Sequence, residues 1–221
     1  MKYIEGIYAY EWGSIYENNC NSFYLGEGIN ALIDPGLSAY LPDLLERMAK
    51  DGVKREEIAF VFNTHSHPDH FQGSEILQAE KTSIALHTEE INFLNGVGVE
   101  LYSLFGIPAP EGIVNMPLEE GRINIAGQEL QIIHVPGHSP GSVAIYWENK
   151  KALFCGDVIF EQNVGRTDFP GGNSALLKES ISRLALLDVE HLFAGHMGII
   201  SGKREVEENF AMVIKQIFPY L

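Results

Sequence analysis

The amino-acid sequence predicts an α+β protein in which two β-sheets pack face to face and helices cover their outer surfaces. Short β-type segments come first, a helix follows them, and strands and helices recur through the second half of the 221 residues. Hydrophobic residues make up 45% of the chain and charged residues 20%, so the composition supports a folded core of this kind. No shift in composition marks a linker, and we expect one domain over residues 1–221.

Each predicted element rests on the spacing of its apolar residues and on the turn residues that bound it. The predicted strands are Tyr3–Tyr10, Ser22–Leu25, Asn30–Ile33, Ile58–Phe62, Ser83–His87, Arg122–Ile125, Leu130–Val135, Ser142–Trp147, Ala152–Cys155 and His191–Ala194. The predicted helices are Leu41–Lys50, Phe71–Ala79, Thr88–Leu94, a helix capped by Asn173 or Ser174 that runs to Leu187, and Arg204–Phe218. Residues 95–117 are rich in glycine and proline and predict a pocket-forming loop, or a loop with one helical turn.

The charge balance and the N-terminal residues disfavour several partners and locations. Thirty acidic residues oppose fifteen basic ones, and the formal net charge of −15 disfavours nucleic acid as a partner. No apolar run reaches the roughly 18 to 20 residues of a membrane helix. Residues 1–5 lack the features of a signal peptide, so we expect a cytoplasmic protein with Cys20 and Cys155 reduced. The expected partner is a small-molecule substrate, and the sequence leaves the oligomeric state open, with a homodimer among the options.

The motif His65-x-His67-x-Asp69-His70 is the strongest functional feature of the sequence. It places four potential metal ligands within six residues, after a buried strand and before a predicted helix, and holds three of the eight histidines. Residues at i and i+2 of an extended segment point the same way, so His65 and His67 can reach one metal ion. Asp69 and His70, on the turn into the helix, would then face an adjacent position. Imidazole and carboxylate ligands suit zinc, iron or manganese.

Three further candidates follow predicted strands one at a time, and these are His138, Asp157 and His196. Each would be an ordinary loop residue if it stood alone, because a single histidine or a Gly-Asp pair is common in turns. Repetition of the pattern favours ligands that converge at one edge of a sheet, which a catalytic metal pair requires. A structural zinc would more often use tightly spaced cysteines. Of the other histidines, His87 is expected at a solvated strand end, with a supporting position near the site as the alternative.

Thr64-His65-Ser66-His67-Pro68-Asp69-His70, followed in order by the three single residues, resembles the metallo-β-lactamase superfamily over residues from about 20 to about 200. The resemblance implies a four-layer αβ/βα sandwich with two metal ions at one edge of the two sheets. It implies a first metal held by His65, His67 and His138, a second held by Asp69, His70 and His196, and Asp157 as the bridge. The β-lactamases of the superfamily use a cysteine at the bridging position, so the resemblance disfavours antibiotic hydrolysis.

A narrower resemblance involves the segment Gly165-Arg166-Thr167-Asp168-Phe169-Pro170-Gly171-Gly172. It is similar to a loop of glyoxalase II-type proteins and of the related persulfide dioxygenases. In the former, this loop places a basic side chain beside glutathione, and Arg166 is the matching position. Arg166 can equally pair with Asp168 and shape the loop. Glyoxalase II also has a further C-terminal helical region, so this chain is more similar to short glyoxalase II-like proteins, and glutathione specificity is not implied.

These features predict a binuclear hydrolase that cleaves a thioester or a related ester, with zinc as the expected metal and iron or manganese as alternatives. Two cations would acidify a bridging water to give a metal-bound hydroxide, which Asp69 would orient while Asp157 bridges the metals. One alternative is a persulfide dioxygenase with one iron held by His65, His138 and Asp157, although Val164 stands where those enzymes carry a cysteine. A non-catalytic scaffold stabilised by metal is another alternative. Nuclease activity is disfavoured by the acidic charge.

Overall fold

The computed structural model describes residues 1–14, 16–78 and 82–221, and the first of its two large sheets has seven strands. These are β1 (Lys2–Ile4), β2 (Ile7–Tyr10), β3 (Ser22–Leu25), β4 (Ala31–Ile33), β5 (Phe60–Phe62), β6 (Ser83–His87) and β7 (Met116–Leu118). The strands lie side by side in chain order. Strands β1 to β4 are antiparallel, whereas β4 to β7 are parallel, so the loops after β4, β5 and β6 meet at one edge of the sheet.

The second large sheet is built from the C-terminal half of the chain. Its strands are β8 (Gly121–Ile125), β9 (Gln128–His134), β10 (Val143–Trp147), β11 (Ala152–Gly156), β14 (His191–Ala194) and β15 (Ile200–Ser201), and β12 (Ile159–Phe160) and β13 (Asn163–Val164) form a separate hairpin. Strand β10 is antiparallel to both β9 and β11, and β14 is parallel to β11. Strands β9, β11 and β14 therefore point the same way, and the loops that follow them share one edge.

Seven α-helices connect and cover the sheets in the described part of the chain. They are α1 (Leu41–Lys50), α2 (Pro68–Phe71), α3 (Ser74–Leu77), α4 (Thr88–Leu94), α5 (Val99–Phe105), α6 (Ser174–Leu184) and α7 (Lys203–Met212). Parallel neighbours need crossover connections, and α1, α4 and α6 lie in such crossovers. None of these helices combines the length and apolar character that crossing a bilayer requires.

Alternating side chains divide the protein into four layers. Phe62 and Ile33 point into a core between the two sheets, whereas their neighbours Val61 and Leu32 pack with α1 and the α2 to α5 region. The second sheet behaves in the same way, because Ile132 and Phe154 face the first sheet while Ile133 and Cys155 face α6 and α7. The order is helices, sheet, sheet, helices, and the predicted αβ/βα sandwich is confirmed.

The structure corrects several predicted boundaries. The predicted strand Tyr3–Tyr10 is a hairpin of two strands, because Gly6 turns the chain with a φ of 82°. The predicted helix Phe71–Ala79 is wrong as a single helix, since α2 and α3 are separate short helices, and residue 79 lies outside the described residues. The break falls at Gly73, whose N–H donates to the carbonyl of Gly36 over 2.7 Å.

Three other segments differ from the prediction at the level of whole elements. Residues 95–117 contain the seven-residue helix α5, which is longer than the single turn allowed for. The helix predicted to run to Leu187 ends at Leu184, although Asn173 caps it as predicted by accepting from the N–H groups of the second and third residues that follow it. The predicted final helix ends as α-helix at Met212, after which the chain continues in a π turn and a 3₁₀ turn.

Candidate metal centre

His65, His67 and His138 bring their rings together at the edge shared by both sheets. One ring nitrogen from each lies within 4.8 Å of those of the other two. His65 and His67 lie in the loop between β5 and α2, and His138 lies in the loop after β9. All three side chains are buried, and among the described residues their Nε2 atoms have no hydrogen-bond partner. Buried nitrogens without partners are costly unless a ligand occupies the space between them, so this geometry fits a metal ion.

Hydrogen bonds at the opposite ring nitrogens fix how two of these histidines present their lone pairs. The Nδ1 of His138 lies 2.8 Å from the carbonyl oxygen of Arg166, an acceptor only, so Nδ1 carries the proton. The Thr64 hydroxyl donates its one proton to Asp34 over 2.7 Å and must accept from His65 Nδ1 over 3.0 Å. In the neutral form of both rings Nε2 therefore carries the free lone pair, which is the form that binds metal.

A second cluster consists of Asp69, His70 and His196. Asp69 and His70 lie in α2, and His196 follows β14. The Nε2 atoms of His70 and His196 are 3.4 Å apart, and Asp69 Oδ2 lies 3.2 Å from His196 Nε2. His70 Nδ1 is bound to a carboxylate oxygen of Asp34 at 2.9 Å, which directs its Nε2 toward this cluster. The three ligand atoms lie within 4.8 Å of one another, as in the first cluster.

Asp157 lies between the two clusters, after β11. Its Oδ1 is 3.2 Å from His70 Nε2, and its Oδ2 is 3.4 Å from His196 Nε2 and 3.6 Å from His138 Nε2. A single carboxylate thus reaches members of both clusters. The structure brings together all seven residues that the sequence singles out. The triads that could hold a metal ion overlap, because His65, His70 and Asp157 form a third triad beside the two clusters.

The electrostatics of the cluster favour positive charge beside the carboxylates. Burial, with a contribution from His138, lowers the pKa of His67 to about 3, so this ring is a neutral ligand. Burial by itself would lower the pKa of His196, but Asp157 and Asp69 outweigh it and raise the pKa to about 10. Burial would likewise raise the pKa of Asp157, but His196 and His70 hold it well below its usual range. A divalent cation would supply directly the positive charge that these carboxylates favour.

Asp34 is a supporting residue that the sequence indicated only as part of a turn, Asp34-Pro35-Gly36. It is 1% exposed, and it accepts hydrogen bonds from the Thr64 backbone N–H, the Thr64 hydroxyl and His70 Nδ1. One carboxylate therefore orients His70 directly and His65 through Thr64. Its position after β4, next to β5 in the parallel part of the sheet, is a topological signal that only the strand order reveals.

The loop that carries His196 passes very close to the other ligands. A Cβ atom at Gly195 would lie 2.3 Å from Asp157 Oδ1 and 2.5 Å from His70 Cε1, so only glycine fits there. Asn21 holds the same loop from the first sheet, since its side-chain amide donates to the carbonyls of Ala194 and Met197 over 3.1 and 2.9 Å. The Gly195-His196 pair thus depends on close packing between elements that are distant in sequence.

A cavity of about 470 Å³ opens over the cluster. Its floor includes His67, Asp69, His138, Asp157 and His196, and its walls include the apolar side chains of Leu101, Phe105, Phe160, Val164, Phe169 and Met197. Helix α5 and the β12–β13 hairpin supply much of this wall, so the segment predicted to form a pocket wall does line the cavity. The volume and the mixture of apolar walls with few polar groups are typical of a small-molecule site.

Arg166 lies at the rim of this cavity and is paired within its own loop. Its Nε and Nη2 donate to the two carboxylate oxygens of Asp168 over 2.7 and 2.8 Å, and its guanidinium lies 3.6 Å from the ring centre of Phe169. Of the two roles that the sequence left open, this geometry favours the internal pair. The backbone of Arg166 has a separate role, because its carbonyl orients His138.

Three residues near the site are not part of the cluster. The prediction of a solvated strand end for His87 is wrong: it is 4% exposed, stacks on His134 at 4.3 Å and accepts from the N–H of Glu89 at the start of α4. Cys20 and Cys155 are free and buried, as expected for reduced cysteines. Burial raises their thiol pKa values to about 11 and about 12, so neither is poised as a nucleophile.

Sequence comparison supports the assignment that the fold and the cluster suggest. Residues 15–196 match the family profile described as the metallo-beta-lactamase superfamily, and the chain belongs to that superfamily. This fold binds divalent metal ions, and the clustered histidines and aspartates agree with that property.

Two curated relatives cover most of this chain. A probable metallo-hydrolase of Methanocaldococcus jannaschii is 34% identical over 82% of this chain and 89% of its own length. The hydroxyacylglutathione hydrolase GloC of Haemophilus influenzae is 32% identical over 82% of this chain and 86% of its own.

Solved structures point to the same superfamily. The protein TTHA1623, in a di-iron-bound form, has a TM-score of 0.73 at 28% identity and covers 94% of this chain and 97% of its own. The B3 metallo-beta-lactamase BLEG-1 has a TM-score of 0.75 at 28% identity and covers 93% and 99%. The similar proteins include metallo-hydrolases and a metallo-beta-lactamase. Similarity alone therefore does not distinguish between these activities.

Proposed function

We propose that this protein is a binuclear metal-dependent hydrolase that cleaves thioesters or related esters of small molecules, with zinc as the resident metal. The observation that carries the proposal is the convergence of seven ligand side chains below a cavity with apolar walls. The similarity to a hydroxyacylglutathione hydrolase supports a thioester as the substrate. The di-iron form of a structural neighbour supports a two-metal centre.

The residues divide into two ligand sets. His65, His67 and His138 would hold one ion through their Nε2 atoms, and Asp69, His70 and His196 would hold the other. Asp157 lies within 3.6 Å of ligand atoms of both sets and would contact both ions. Bound ions of this kind supply a strong nucleophile from water at neutral pH and polarise the substrate carbonyl.

The side chains around the ions position the reactants. Asp69 lines the cavity and offers a carboxylate oxygen that can accept a hydrogen bond from the attacking water. The apolar walls exclude solvent from the reacting carbonyl and accommodate the carbon skeleton of the substrate. A thiol leaving group has a pKa of about 8.5, so it departs without a strong general acid.

The first experiment is metal analysis combined with a thioester assay. We expect about two metal ions per chain in protein purified without added metal, turnover of S-lactoylglutathione or a simpler thioester, and loss of turnover with a chelator. His138→Ala should abolish turnover. His191→Ala is the matched control, because His191 binds Ser201 in the second sheet outside the cluster, and it should retain activity.

Three results would contradict this proposal. Full turnover by metal-free protein would exclude a metal-dependent reaction. About one iron per chain, together with oxygen uptake on glutathione persulfide, would indicate the dioxygenase instead. Hydrolysis of a β-lactam without turnover of any thioester would indicate a function like that named for BLEG-1.

A further inference from the structure

Helix α4 contains a fully buried carboxylate that the proposed chemistry does not use. Glu90 is 0% exposed, and its two oxygens each accept two hydrogen bonds. Oε1 accepts from the backbone N–H and the hydroxyl of Ser66 over 2.9 and 2.7 Å. Oε2 accepts from the hydroxyl of Ser139 over 2.7 Å and from the N–H of Gly141 over 2.8 Å. All four partners are donors, which is the arrangement that a carboxylate accepts.

These donors belong to two loops that come from different sheets. Ser66 lies between His65 and His67, and Ser139 directly follows His138. Glu90 therefore contacts a neighbour of each residue in the first ligand set. Its hydrogen bonds include no neighbour of His196 or Asp157, which lie in the loops after β14 and β11.

Close packing makes this connection stiff. A Cβ atom at Gly141 would lie 2.1 Å from the backbone nitrogen of Glu90, so the loop after β9 rests directly on the first turn of α4. From the other side, the hydroxyl of the buried Tyr102 in α5 donates to the carbonyl of Ser66 over 2.8 Å. The two ligand loops are thereby held against a common support.

We infer that Glu90 is a positioning residue that sets the distance between the two loops and hence the geometry of the first metal position. The inference rests on the proposed metal centre. Glu90 acts through Ser66, Ser139 and Gly141 and lies outside the cavity lining. Burying a carboxylate is costly, and its four hydrogen bonds offset that cost only while both loops stay in place. The carboxylate therefore couples the position of His138 to that of His65 and His67.

Replacement by glutamine tests this role because glutamine keeps the size of the side chain. One of its two terminal atoms becomes an NH₂ group, which has no lone pair to accept a hydrogen bond. The serine hydroxyls can rotate, but the N–H groups of Ser66 and Gly141 are fixed by the backbone. In either orientation of the amide, one of these N–H groups faces a donor, and one loop is released.

The experiment measures cobalt(II) affinity and the visible spectrum in two backgrounds, each with one ligand set disabled. In the His196→Ala background, which retains the first set, Glu90→Gln should lower cobalt affinity by about 10- to 100-fold and change the visible spectrum. In the His67→Ala background, which retains the second set, the same substitution should change affinity by less than about threefold. Glu89→Gln is the matched control, because this exposed neighbour carries the same charge on the same helix turn.

The outcomes separate this inference from the proposed function. If the otherwise unsubstituted protein binds no metal, the proposed function fails. If it binds two ions and Glu90→Gln leaves the first position unchanged, or weakens both positions equally, Glu90 is not a selective positioning residue. Should Glu90→Gln fail to fold, Ser139→Ala removes one of the four bonds and should still weaken the first position by several-fold and the second not at all.

Discussion

The two sheets contribute to the metal centre in different ways. The first sheet supplies four of the proposed ligands from one short segment, the loop after β5 and the helix α2 that follows it, whereas the second supplies one from each of the loops after β9, β11 and β14. In the turn, short-range backbone geometry sets the relative positions of the ligands. In the second sheet, the strand directions and the register between β11 and β14 set them. The comparison shows that half of the site is local in sequence and the other half exists only in the assembled fold.

The contacts that hold the proposed ligands in place also differ between the two regions. The turn is held by buried carboxylates, with Asp34 on one side and Glu90 on the other. The single residues of the second sheet are held by close backbone packing, by the carbonyl of Arg166 and by the amide of Asn21, and the loop of His138 is held by Glu90 as well. Substitutions in the two regions should therefore weaken metal binding in different ways.

The substitution expected to have the largest effect removes the residue that joins the two regions. Asp157→Ala deletes the carboxylate that reaches both ligand sets. We expect more than a 100-fold loss of turnover, because supporting residues alone account for about 10- to 100-fold, and less than one tightly bound ion per chain. Steady-state kinetics and metal analysis measure this, with Asp188→Ala as a surface control. Retention of two ions would show that each set binds on its own.

The next largest effects compare Asp34, whose carboxylate holds the turn, with Asn21, whose amide holds the loop after β14. Asp34→Asn replaces one oxygen that serves Thr64 and His70, so metal affinity should fall about 10- to 100-fold. Asn21→Ala removes the two hydrogen bonds to the loop after β14 and the acceptor of the Trp12 N–H, and among the ligand loops it should weaken the second position alone. Calorimetric metal titration distinguishes the two variants. If the two variants lose affinity equally at both metal positions, Asp34 and Asn21 do not support different parts of the site.

A smaller effect concerns the rim of the cavity. Asp168→Asn removes the charge that pairs with Arg166 and frees the guanidinium for a substrate carboxylate. Because an exposed pair contributes about 0 to 1 kcal/mol, we expect up to about a fivefold rise in kcat/KM for an anionic thioester relative to a neutral one. The ratio of the two kcat/KM values is the readout. A fall in this ratio would mean that Asp168 assists binding of the anionic substrate.

The smallest effect is expected for a surface ion pair outside both regions. Asp188 binds Lys151 and Lys203 on the surface, and the hydrogen bonds from their side chains lower its pKa to about 2. A depressed carboxyl pKa gives stability above the unfolded value of about 3.9, and that stability is lost as pH falls toward 2. The loss of Tm caused by Asp188→Asn should therefore be small at pH 7, shrink as the pH falls from about 4 toward 2, and vanish below the folded pKa of about 2. If the difference in Tm between the unsubstituted protein and Asp188→Asn stays constant from pH 7 to below pH 2, the ion pairs of Asp188 are not its cause.

The local half of the site could be predicted from the sequence with little help from topology. The spacing of His65, His67, Asp69 and His70 after an apolar strand by itself determines which of these side chains can point in the same direction. The single residues His138, Asp157 and His196 are significant only because the same strand-end pattern recurs and its order resembles that of the superfamily. The fold class follows from the order of apolar segments, and it agrees with the packing of Phe62 between the sheets and of its neighbour Val61 against the helices.

The supporting residues could not be predicted, for a physical reason. Asp34 has the sequence signature of an ordinary turn, and Glu90 that of a polar helix residue. Asp34 supports the site only because the neighbouring parallel strand brings the donors of Thr64 and His70 to it. Glu90 does so only because two loops distant in sequence bring donors to it. For the segment of α5 the sequence predicts at most one helical turn, because glycines and prolines on either side obscure its short apolar pattern.

Tyr102 links the wall of the cavity to the floor. It lies on α5 between Leu101 and Phe105, which face the cavity, and its hydroxyl bonds to the carbonyl between two proposed ligands. Replacement of the wall side chains of α5 should therefore change the shape of the cavity while the tyrosine keeps the helix anchored. Shifting or deleting the helix would instead disturb the ligand turn, so diversification of specificity should proceed by replacement of side chains and rarely by loop insertion at this position.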